Sequence, residues 1–208
     1  MRTLKIVRIT ILLGIMVGIA SVILSTPTKG FTGIREPITI GVDQSPLLAL
    51  IMIAEDHGFF SKQGVDVKVK YYASGKLALN GMFSGEVELA TPAGTPIVFS
   101  SFERIDFSIV ATIGSSDNEP KIVARKDRGI QKPGNLRGKC IATQKASAVH
   151  FFLHSFLIKH GLSEKDITLS FKHPDELVPA LANGEIDAFS MRELYVSRAK
   201  TSLRDREI

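Results

Sequence analysis

The chain has 208 residues, a formal net charge of +5 and a single cysteine. This length suffices for one large domain or two small ones, each with its own apolar core. Residues 1–37 hold five basic residues and one acidic residue, so the remainder carries only about +1. That distribution argues against a nucleic-acid-binding protein, whose basic surplus lies on the folded body. The lone Cys140 excludes an internal disulfide and a cysteine-based zinc cluster.

Residues 1–30 have the pattern of an export signal peptide or of an uncleaved N-terminal membrane anchor. Arg2, Lys5 and Arg8 precede an apolar run, and no charge appears from Ile9 to Thr28. The basic end of such a segment stays in the cytoplasm, and a run of about 20 uncharged residues is long enough to span a bilayer. No cysteine lies near its end, which excludes a lipoprotein anchor. Both interpretations put the rest of the chain in the periplasm or at the extracellular face of the cytoplasmic membrane.

From residue 38 onward, the periodicity of apolar residues predicts short strands that alternate with helices. The predicted strands of the first half are 38–42, 65–72, 87–91 and 107–113, and the predicted helices are 46–57, 76–83 and 95–102. This alternation predicts right-handed βαβ crossovers and a mainly parallel sheet.

The same series of elements returns at a spacing of about 100 residues, and such self-similarity indicates repeated structural units. Strand 38–42 corresponds to strand 139–143, and "MFSGEVELA" (82–90) corresponds to "LANGEIDAF" (181–189). Each of the last two stretches contains a helix end, a glycine suited to a left-handed cap, a glutamate and a new strand. The repeat predicts two similar α/β lobes.

A polar segment, residues 112–136, joins the two repeats and contains the strand-like "KIVAR". We interpret this segment as the crossover between lobes, with a hinge near Gly114 to Pro120. The predicted division of the chain is a signal or anchor at 1–30, lobe 1 at 31–117, lobe 2 at 118–200 and a terminal tail at 201–208.

Strand-to-helix turns are predicted to meet at a gap between the lobes. Parallel sheets bind ligands beyond the carboxyl ends of their strands, and the unpaired amides of helix N-termini favour anions. The predicted contacts with a small anion are Asp43, Gln44 and Ser45 after the first strand, Gly94 and Thr95 after the third, and Lys145, Ser147 and His150 in lobe 2. The alternative is that Ser147 only caps its own helix.

No motif for covalent chemistry stands out. His150 and His154 lie one helical turn apart, but a zinc-protease motif needs a glutamate at position 151, where phenylalanine stands. No serine lies in a GxSxG sequence. The sequence therefore predicts no catalytic residue, no metal ligand and no cofactor. The dense basic run from Lys121 to Lys139 is interpreted as a solvated surface, with a polyanion site as the alternative.

Four stretches resemble the solute-binding proteins of ABC importers for nitrate, sulfonate and taurine, a group that shares its fold with the THI5-like pyrimidine proteins. They are "ITIGVDQSPLLALIMIAEDHGFFSKQGVDVKV", "MFSGEVELATPAGTP", "QKASAVHFFLHSFLIKHGLSEKDITL" and "LANGEIDAFSMREL", and the resemblance covers residues 38–198. It implies a type II periplasmic binding protein fold, in which two lobes close about a hinge. It also implies a monomeric receptor that delivers a small anionic solute to an ABC permease in the membrane.

The resemblance adds Ser115, Ser116 and Arg192 to the expected ligand contacts. An aromatic residue and an "EP" pair, common after the last shared strand of the family, are absent here, and Arg192 at this point favours a negative group. Family chains also return from lobe 2 to lobe 1. The resemblance therefore implies a fold incomplete at its C-terminus, with no final strand or covering helices on lobe 1 and with exposed apolar surface.

Two alternatives to a receptor remain at this point. The first is a THI5-like pyrimidine-related enzyme in which His150 supplies the chemistry, although the export signal argues against a cytoplasmic biosynthetic role. The second is a membrane-anchored fragment without activity.

Overall fold

The computed structural model describes residues 37–203. The predicted signal or anchor at 1–30 lies outside these residues. Within 37–203, no helix combines the length and the apolar character needed to cross a membrane. We keep the predicted division and call residues 37–117 lobe 1 and residues 118–203 lobe 2.

Lobe 1 contains a three-stranded parallel sheet with the strand order β2-β1-β3. Its elements in chain order are β1 (Ile38–Asp43), a 3-10 turn (Pro46–Leu48), α1 (Ala49–Asp56), α2 (Phe59–Lys62), β2 (Val67–Tyr72), α3 (Gly75–Phe83), β3 (Leu89–Ala90) and α4 (Gly94–Ser101).

Lobe 2 contains a four-stranded sheet with the order β4-β7-β5-β6, in which only β4 runs antiparallel to its neighbour. Its strands and helices are β4 (Lys121–Ala124), β5 (Cys140–Thr143), α5 (Ala148–Lys159), β6 (Thr168–Phe171), α6 (Pro174–Ala182), β7 (Ala188–Met191) and α7 (Glu193–Leu203). Short 3-10 turns cover Lys126–Arg128, Pro133–Leu136 and Glu164–Asp166.

The internal repeat is visible in the register of the two sheets. Ile40 of β1 pairs with Leu89 of β3, and Ile141 of β5 pairs with Ala188 of β7. The predicted caps also match, because Gly85 and Gly184 both have a φ of 76°, a conformation that glycine adopts without steric cost. The predicted pair of α/β lobes with mainly parallel sheets is thus confirmed.

The apolar core is larger in lobe 2 than in lobe 1. Apolar side chains fill both faces of the lobe 2 sheet, with Phe189 and Leu177 in one cluster and Leu153 and Leu157 in the other. The buried cluster beside β1 in lobe 1 is small, consisting of Val42, Leu48 and Ile51. Since burial of apolar area is the main source of stability, lobe 2 is the better stabilised part.

The predicted strand at 107–113 is wrong, because the structure has irregular backbone there. A strand needs a neighbour that pairs with its backbone groups, and no strand among residues 37–203 pairs with this segment. Its side chains stay open to solvent, with Ile109 68% and Val110 81% exposed. Phe102 and Ile105 just before it are also exposed.

The predicted crossover at 112–136 contains a true sheet strand. β4 runs along β7, from Lys121 opposite Met191 to Ala124 opposite Ala188, so that "KIVA" belongs to the lobe 2 sheet. At the other end of lobe 2, α7 continues to the buried Leu203, beyond the predicted boundary at residue 200.

Candidate functional site

The two lobes are joined by polar contacts at the carboxyl ends of their strands. Gln144 donates from Nε2 to Ser74 Oγ over 2.8 Å, and Tyr195 donates from its hydroxyl to the carbonyl oxygen of Ala73 over 3.0 Å. Arg192, directly after β7, donates from Nη1 to Asp43 at the end of β1. The strand ends of both sheets therefore meet, as the parallel topology requires.

The side chain of Asp43 places a buried carboxylate at this junction. Its carboxylate accepts from the amide of Ser45 over 3.1 Å and from the amide of Gly75, the first residue of α3, over 2.8 Å. A Cβ at Gly75 would lie 2.9 Å from the carbonyl oxygen of Thr91, so glycine lets α3 begin close to Asp43. Burial raises the pKa of Asp43, and the Arg192 guanidinium and the two amides only partly offset this effect.

Arg192 is the central cation of the junction. Its side chain is buried beside those of Asp43 and Glu119, and Nη1 lies 4.0 Å from the Oε1 of Glu119. The Nε of Arg192 is buried and has no hydrogen-bond partner within residues 37–203. A buried donor without an acceptor costs free energy, so this N–H group is a candidate for contact with a ligand.

A cavity of about 490 Å³ opens beside Arg192. Its lining includes the polar residues Asp43, Ser45, Glu119 and Arg192, and Gly94 at the start of α4. No side chain caps the N-terminus of α4, and the space beside the Gly94 Cα is open. Uncapped amides at a helix N-terminus favour an anion, so the start of α4 and the Arg192 guanidinium group are both hydrogen-bond donors that line this cavity.

The other predicted helix N-terminus of lobe 1, at Pro46, has its donors occupied. Proline has no amide hydrogen, and the chain forms a 3-10 turn over Pro46–Leu48 before α1 begins. The amide of Leu47 donates to Ser45 Oγ, and the amide of Leu48 donates to the carbonyl oxygen of Ser45. Ser45 itself donates from Oγ to Glu119, which fixes that carboxylate at the cavity wall.

The lobe 2 turn is satisfied largely by its own residues. Ser147 Oγ accepts from the His150 amide over 3.4 Å and donates to the carbonyl oxygen of Gln144 over 2.6 Å. The alternative interpretation, in which Ser147 caps α5, thus describes the geometry seen here. The ammonium group of Lys145 lies 5.6 Å from the centre of the Phe171 ring. Neither Ser147 nor Lys145 lines the cavity beside Arg192.

Replacing Ser147 by alanine is expected to lower the free energy of unfolding by about 1 kcal/mol, the usual cost of losing an N-cap hydroxyl. Urea denaturation followed by far-UV circular dichroism measures this loss. Ser197, an exposed residue inside α7, supplies the control variant Ser197→Ala, for which a change within about 0.5 kcal/mol is expected. Equal stability of Ser147→Ala and the parent would contradict the capping role.

His150 is engaged within lobe 2. Its Nδ1 accepts from the amide of Ala146 over 3.3 Å, and its ring meets that of Phe171 edge to face. Its Nε2 lies 3.3 Å from Glu164 Oε1, an ion-pair distance without hydrogen-bond geometry. His154 lies equally near the same carboxylate. Across residues 37–203 there is no group of three or more His, Cys, Asp or Glu side chains suited to a metal ion.

The remaining predicted contacts do not line the cavity. Gln44, Ser115 and Ser116 are exposed, and Thr95 is half-buried beside Gly94. None of these four lines the cavity. The structure thus brings together Asp43, Ser45, Gly94 and Arg192 but not the other predicted residues.

Sequence reasoning missed Glu119, Ser74 and Lys76. Ser74 caps α3 and Lys76 lies in the first turn of α3, directly after β2, at the same sheet edge where β1 and β3 end. The rule that selected the turns after β1 and β3 would also have selected this one. Glu119 had no local signal, because it lies in irregular chain and reaches the site only through the path of the crossover.

Two lysines add positive charge where the lobes meet. Lys76 of lobe 1 donates from Nζ to the carbonyl oxygen of Lys145 in lobe 2 over 2.6 Å. Burial and then the Lys145 ammonium group lower the pKa of Lys76, as expected for two cations close together. This pair favours the approach of an anion to the junction.

The basic run from Lys121 to Lys139 is partly neutralised by neighbours. Arg125 pairs with Asp127, and Arg137 pairs with Asp166. Lys139 donates to the carbonyl oxygen of Arg128. These local contacts agree with the interpretation of the run as a solvated surface.

The chain is similar in sequence to proteins that are named for binding sulfonates or taurine. A candidate aliphatic sulfonates-binding protein of Bacillus subtilis is 29% identical over 164 residues, which cover 77% of this chain and 49% of that protein. The taurine-binding periplasmic protein of Escherichia coli is 24% identical over 132 residues, 64% of this chain and 41% of that protein. This chain therefore spans about half the length of the curated relatives that it matches.

The fold agrees with that of solved periplasmic binding proteins. The periplasmic aliphatic sulphonate binding protein SsuA of Escherichia coli superposes with a TM-score of 0.64 at 20% identity, over 80% of this chain and 57% of that one. The predicted type II periplasmic binding protein fold is thereby confirmed. The family model described as NMT1/THI5 like matches residues 45–204, most of the chain, and the protein belongs to this family.

Proposed function

We propose that this protein is the substrate-binding component of an ABC importer, that it acts outside the cytoplasm, and that it binds a small sulfonate at the junction of its lobes. The observation that carries the proposal is the buried Nε–H group of Arg192, which has no acceptor within residues 37–203. Arg192 lines the cavity, as does Gly94 at the uncapped start of α4. Both groups are hydrogen-bond donors suited to an oxyanion. The relatives named for sulfonates and taurine support this class of anion.

The charges around Arg192 favour a solute that carries a positive group as well. Asp43 and Glu119 present two carboxylates beside one guanidinium group. Asp43 is occupied by two amides and by Arg192, whereas Glu119 accepts from Ser45 and is only partly buried. Glu119 therefore supplies an acceptor for an ammonium group. An amino sulfonate satisfies both ends of the site, because its sulfonate meets Arg192 and its ammonium group meets Glu119.

Binding by this arrangement needs no covalent step. Closure of the lobes on the solute is a hinge motion, and the polar contacts from Gln144 to Ser74 and from Lys76 to Lys145 already join the two edges. The histidine that an enzyme of the THI5-like type would use, His150, is engaged with Ala146 and Glu164 and does not line the cavity. We therefore favour a receptor over an enzyme.

Isothermal titration of the full chain with taurine, ethanesulfonate and nitrate tests the proposal, with dimethyl sulfone as an uncharged control. Taurine is expected to bind about ten-fold more tightly than ethanesulfonate, because a charged hydrogen bond to Glu119 contributes about 1.5 kcal/mol. Glu119→Gln is expected to abolish this preference while ethanesulfonate still binds. Equal binding of dimethyl sulfone, or no binding of any sulfonate, would refute the proposed function.

A further inference from the structure

The peptide unit between Lys145 and Ala146 makes one contact in each lobe. Its carbonyl oxygen accepts from Lys76 Nζ of lobe 1 over 2.6 Å. Its N–H group, the amide of Ala146, donates to His150 Nδ1 of lobe 2 over 3.3 Å. The carbonyl and the N–H group of one peptide unit lie in a common plane. A side chain that fixes the direction of the N–H group therefore also fixes the direction of the carbonyl oxygen that contacts lobe 1.

The backbone next to this peptide unit has a conformation that alanine does not favour. Among residues 37–203, Ala146 is the only residue other than glycine with a positive φ, 51°. The left-handed conformation costs free energy in a residue with a Cβ atom, and it persists where surrounding contacts hold it. The hydrogen bond to His150 is such a contact, because it engages the amide of Ala146 itself.

The two ends of the turn at 144–147 are anchored more firmly than its centre. Gln144 is buried and donates to Ser74 of lobe 1 over 2.8 Å. Ser147 is buried and donates to the carbonyl oxygen of Gln144 over 2.6 Å. Between them, Lys145 is exposed and Ala146 is half-buried, so packing contributes little to holding the centre. The acceptor on His150 is therefore a main constraint there.

Only the neutral form of His150 can accept this hydrogen bond. Nδ1 accepts when it carries no proton, and the proton of the neutral ring is then on Nε2, which lies 3.3 Å from Glu164 Oε1. The other titratable groups around the ring are His154, 3.3 Å from the same carboxylate oxygen, and Lys145, whose ammonium group packs against the same phenylalanine ring as His150 does. Protonation of Nδ1 turns it into a donor, so the amide of Ala146 loses its acceptor.

We infer that His150 is a positioning residue for the junction of the lobes. In its neutral form it holds the peptide unit between Lys145 and Ala146 in the orientation that contacts Lys76, and its protonation loosens this contact. His150 does not line the cavity beside Arg192, so it acts through the backbone of the turn and not on a bound solute. Since hinged lobes close through contacts of this kind, the junction is expected to weaken as the pH falls.

Two substitutions of His150 separate the loss of the acceptor from the loss of titration. His150→Asn keeps an acceptor atom bonded to Cγ, as Nδ1 is, but does not change its charge. His150→Ala removes the acceptor. In amide hydrogen exchange of the full chain, the protection of the Ala146 amide is expected to fall about five-fold in His150→Ala, the effect of one lost hydrogen bond. It should stay close to that of the parent in His150→Asn, and unchanged exchange in β7 shows that the fold is intact.

The contact between the lobes is measured by the rate at which a succinimidyl ester acylates Lys76, relative to the rate at Lys68. Lys68 is an exposed residue of β2 and serves as the internal control. In the parent, Lys76 is half-buried and donates to lobe 2. The ratio of the two rates is expected to rise in His150→Ala, because Lys76 is released, and to be unchanged in His150→Asn.

The dependence on pH is the readout that a purely structural role would not change. As the pH falls from about 8 to about 5, the range in which histidine changes its charge, the protection factor of the Ala146 amide is expected to decrease in the parent and to stay constant in His150→Asn. His154 is present in both proteins, so the difference isolates His150. Equal protection in the parent and His150→Ala, equal loss in both variants, or the same pH dependence in the parent and His150→Asn would overturn the inference. No solute is added, so these results do not depend on the proposed sulfonate binding.

Discussion

Phe189→Ala is expected to lower the free energy of unfolding by about 3–5 kcal/mol, the usual cost of deleting a fully buried phenylalanine side chain. Phe189 lies in β7, between β4 and β5, and is fully buried in the larger core of lobe 2. Its ring contributes to the cluster shared with α6 and α7. Urea denaturation of the full chain measures the loss.

Phe151→Ala is the control for this substitution, because its ring is 60% exposed and its loss should change stability by no more than about 0.5 kcal/mol. Phe189→Leu keeps most of the apolar volume and should remain folded even if the alanine variant does not. Equal stability of Phe189→Leu and Phe189→Ala, both close to the parent, would contradict the account of the core.

Asp43→Ala is expected to destabilise the protein by about 3 kcal/mol, because removing one member of a buried ion pair is costly and leaves Arg192 with only the more distant Glu119 carboxylate, 4.0 Å away. The substitution also leaves the amides of Ser45 and Gly75 without their acceptor. Asp43→Asn should cost less, since its carbonyl oxygen still accepts from an amide. Asp56→Ala, at a highly exposed carboxylate, is the control and should lie within about 0.5 kcal/mol of the parent.

The difference in the free energy of unfolding between the parent and Asp43→Asn should depend on pH. Burial raises the pKa of Asp43 in the folded protein, so the folded state holds this proton more tightly than the unfolded state does. The contribution of Asp43 to stability is therefore fully present below its unfolded pKa and declines as the pH rises through the folded pKa. The stability difference between the parent and Asp43→Asn should shift in favour of Asn as the pH rises through that range. The opposite trend would show that the Arg192 ion pair outweighs the effect of burial.

Helix ends and the repeat of strands and helices were predicted from the sequence, because each depends on residues close together in the chain. Gly85 and Gly184 follow their helices in the left-handed conformation, as predicted. These signals repeat in both halves of the chain, which is why two lobes could be predicted from one sequence.

Features that depend on a distant partner could not be predicted in this way. Residues 107–113 have the composition of a strand, but a strand forms only where another strand lies beside it. The candidate site also depends on residues that lie far apart in the chain. Asp43, which was expected to contact the ligand, lines the cavity, but local patterns did not predict that it pairs with Arg192, 149 positions away in the chain. Glu119 enters the site only because the crossover passes the end of β1, and no local pattern carries that information.

Titration of Arg192→Lys with taurine tests whether the Nε–H group of Arg192 binds the sulfonate, as proposed above. Arg192→Lys keeps a positive charge beside Asp43 but removes the Nε donor and the planar fork. The account predicts that taurine binds this variant at least ten-fold more weakly than it binds the parent, whereas Arg198→Lys, at an exposed arginine of α7, leaves the affinity unchanged. Taurine binding to Arg192→Lys with the affinity of the parent would contradict the account.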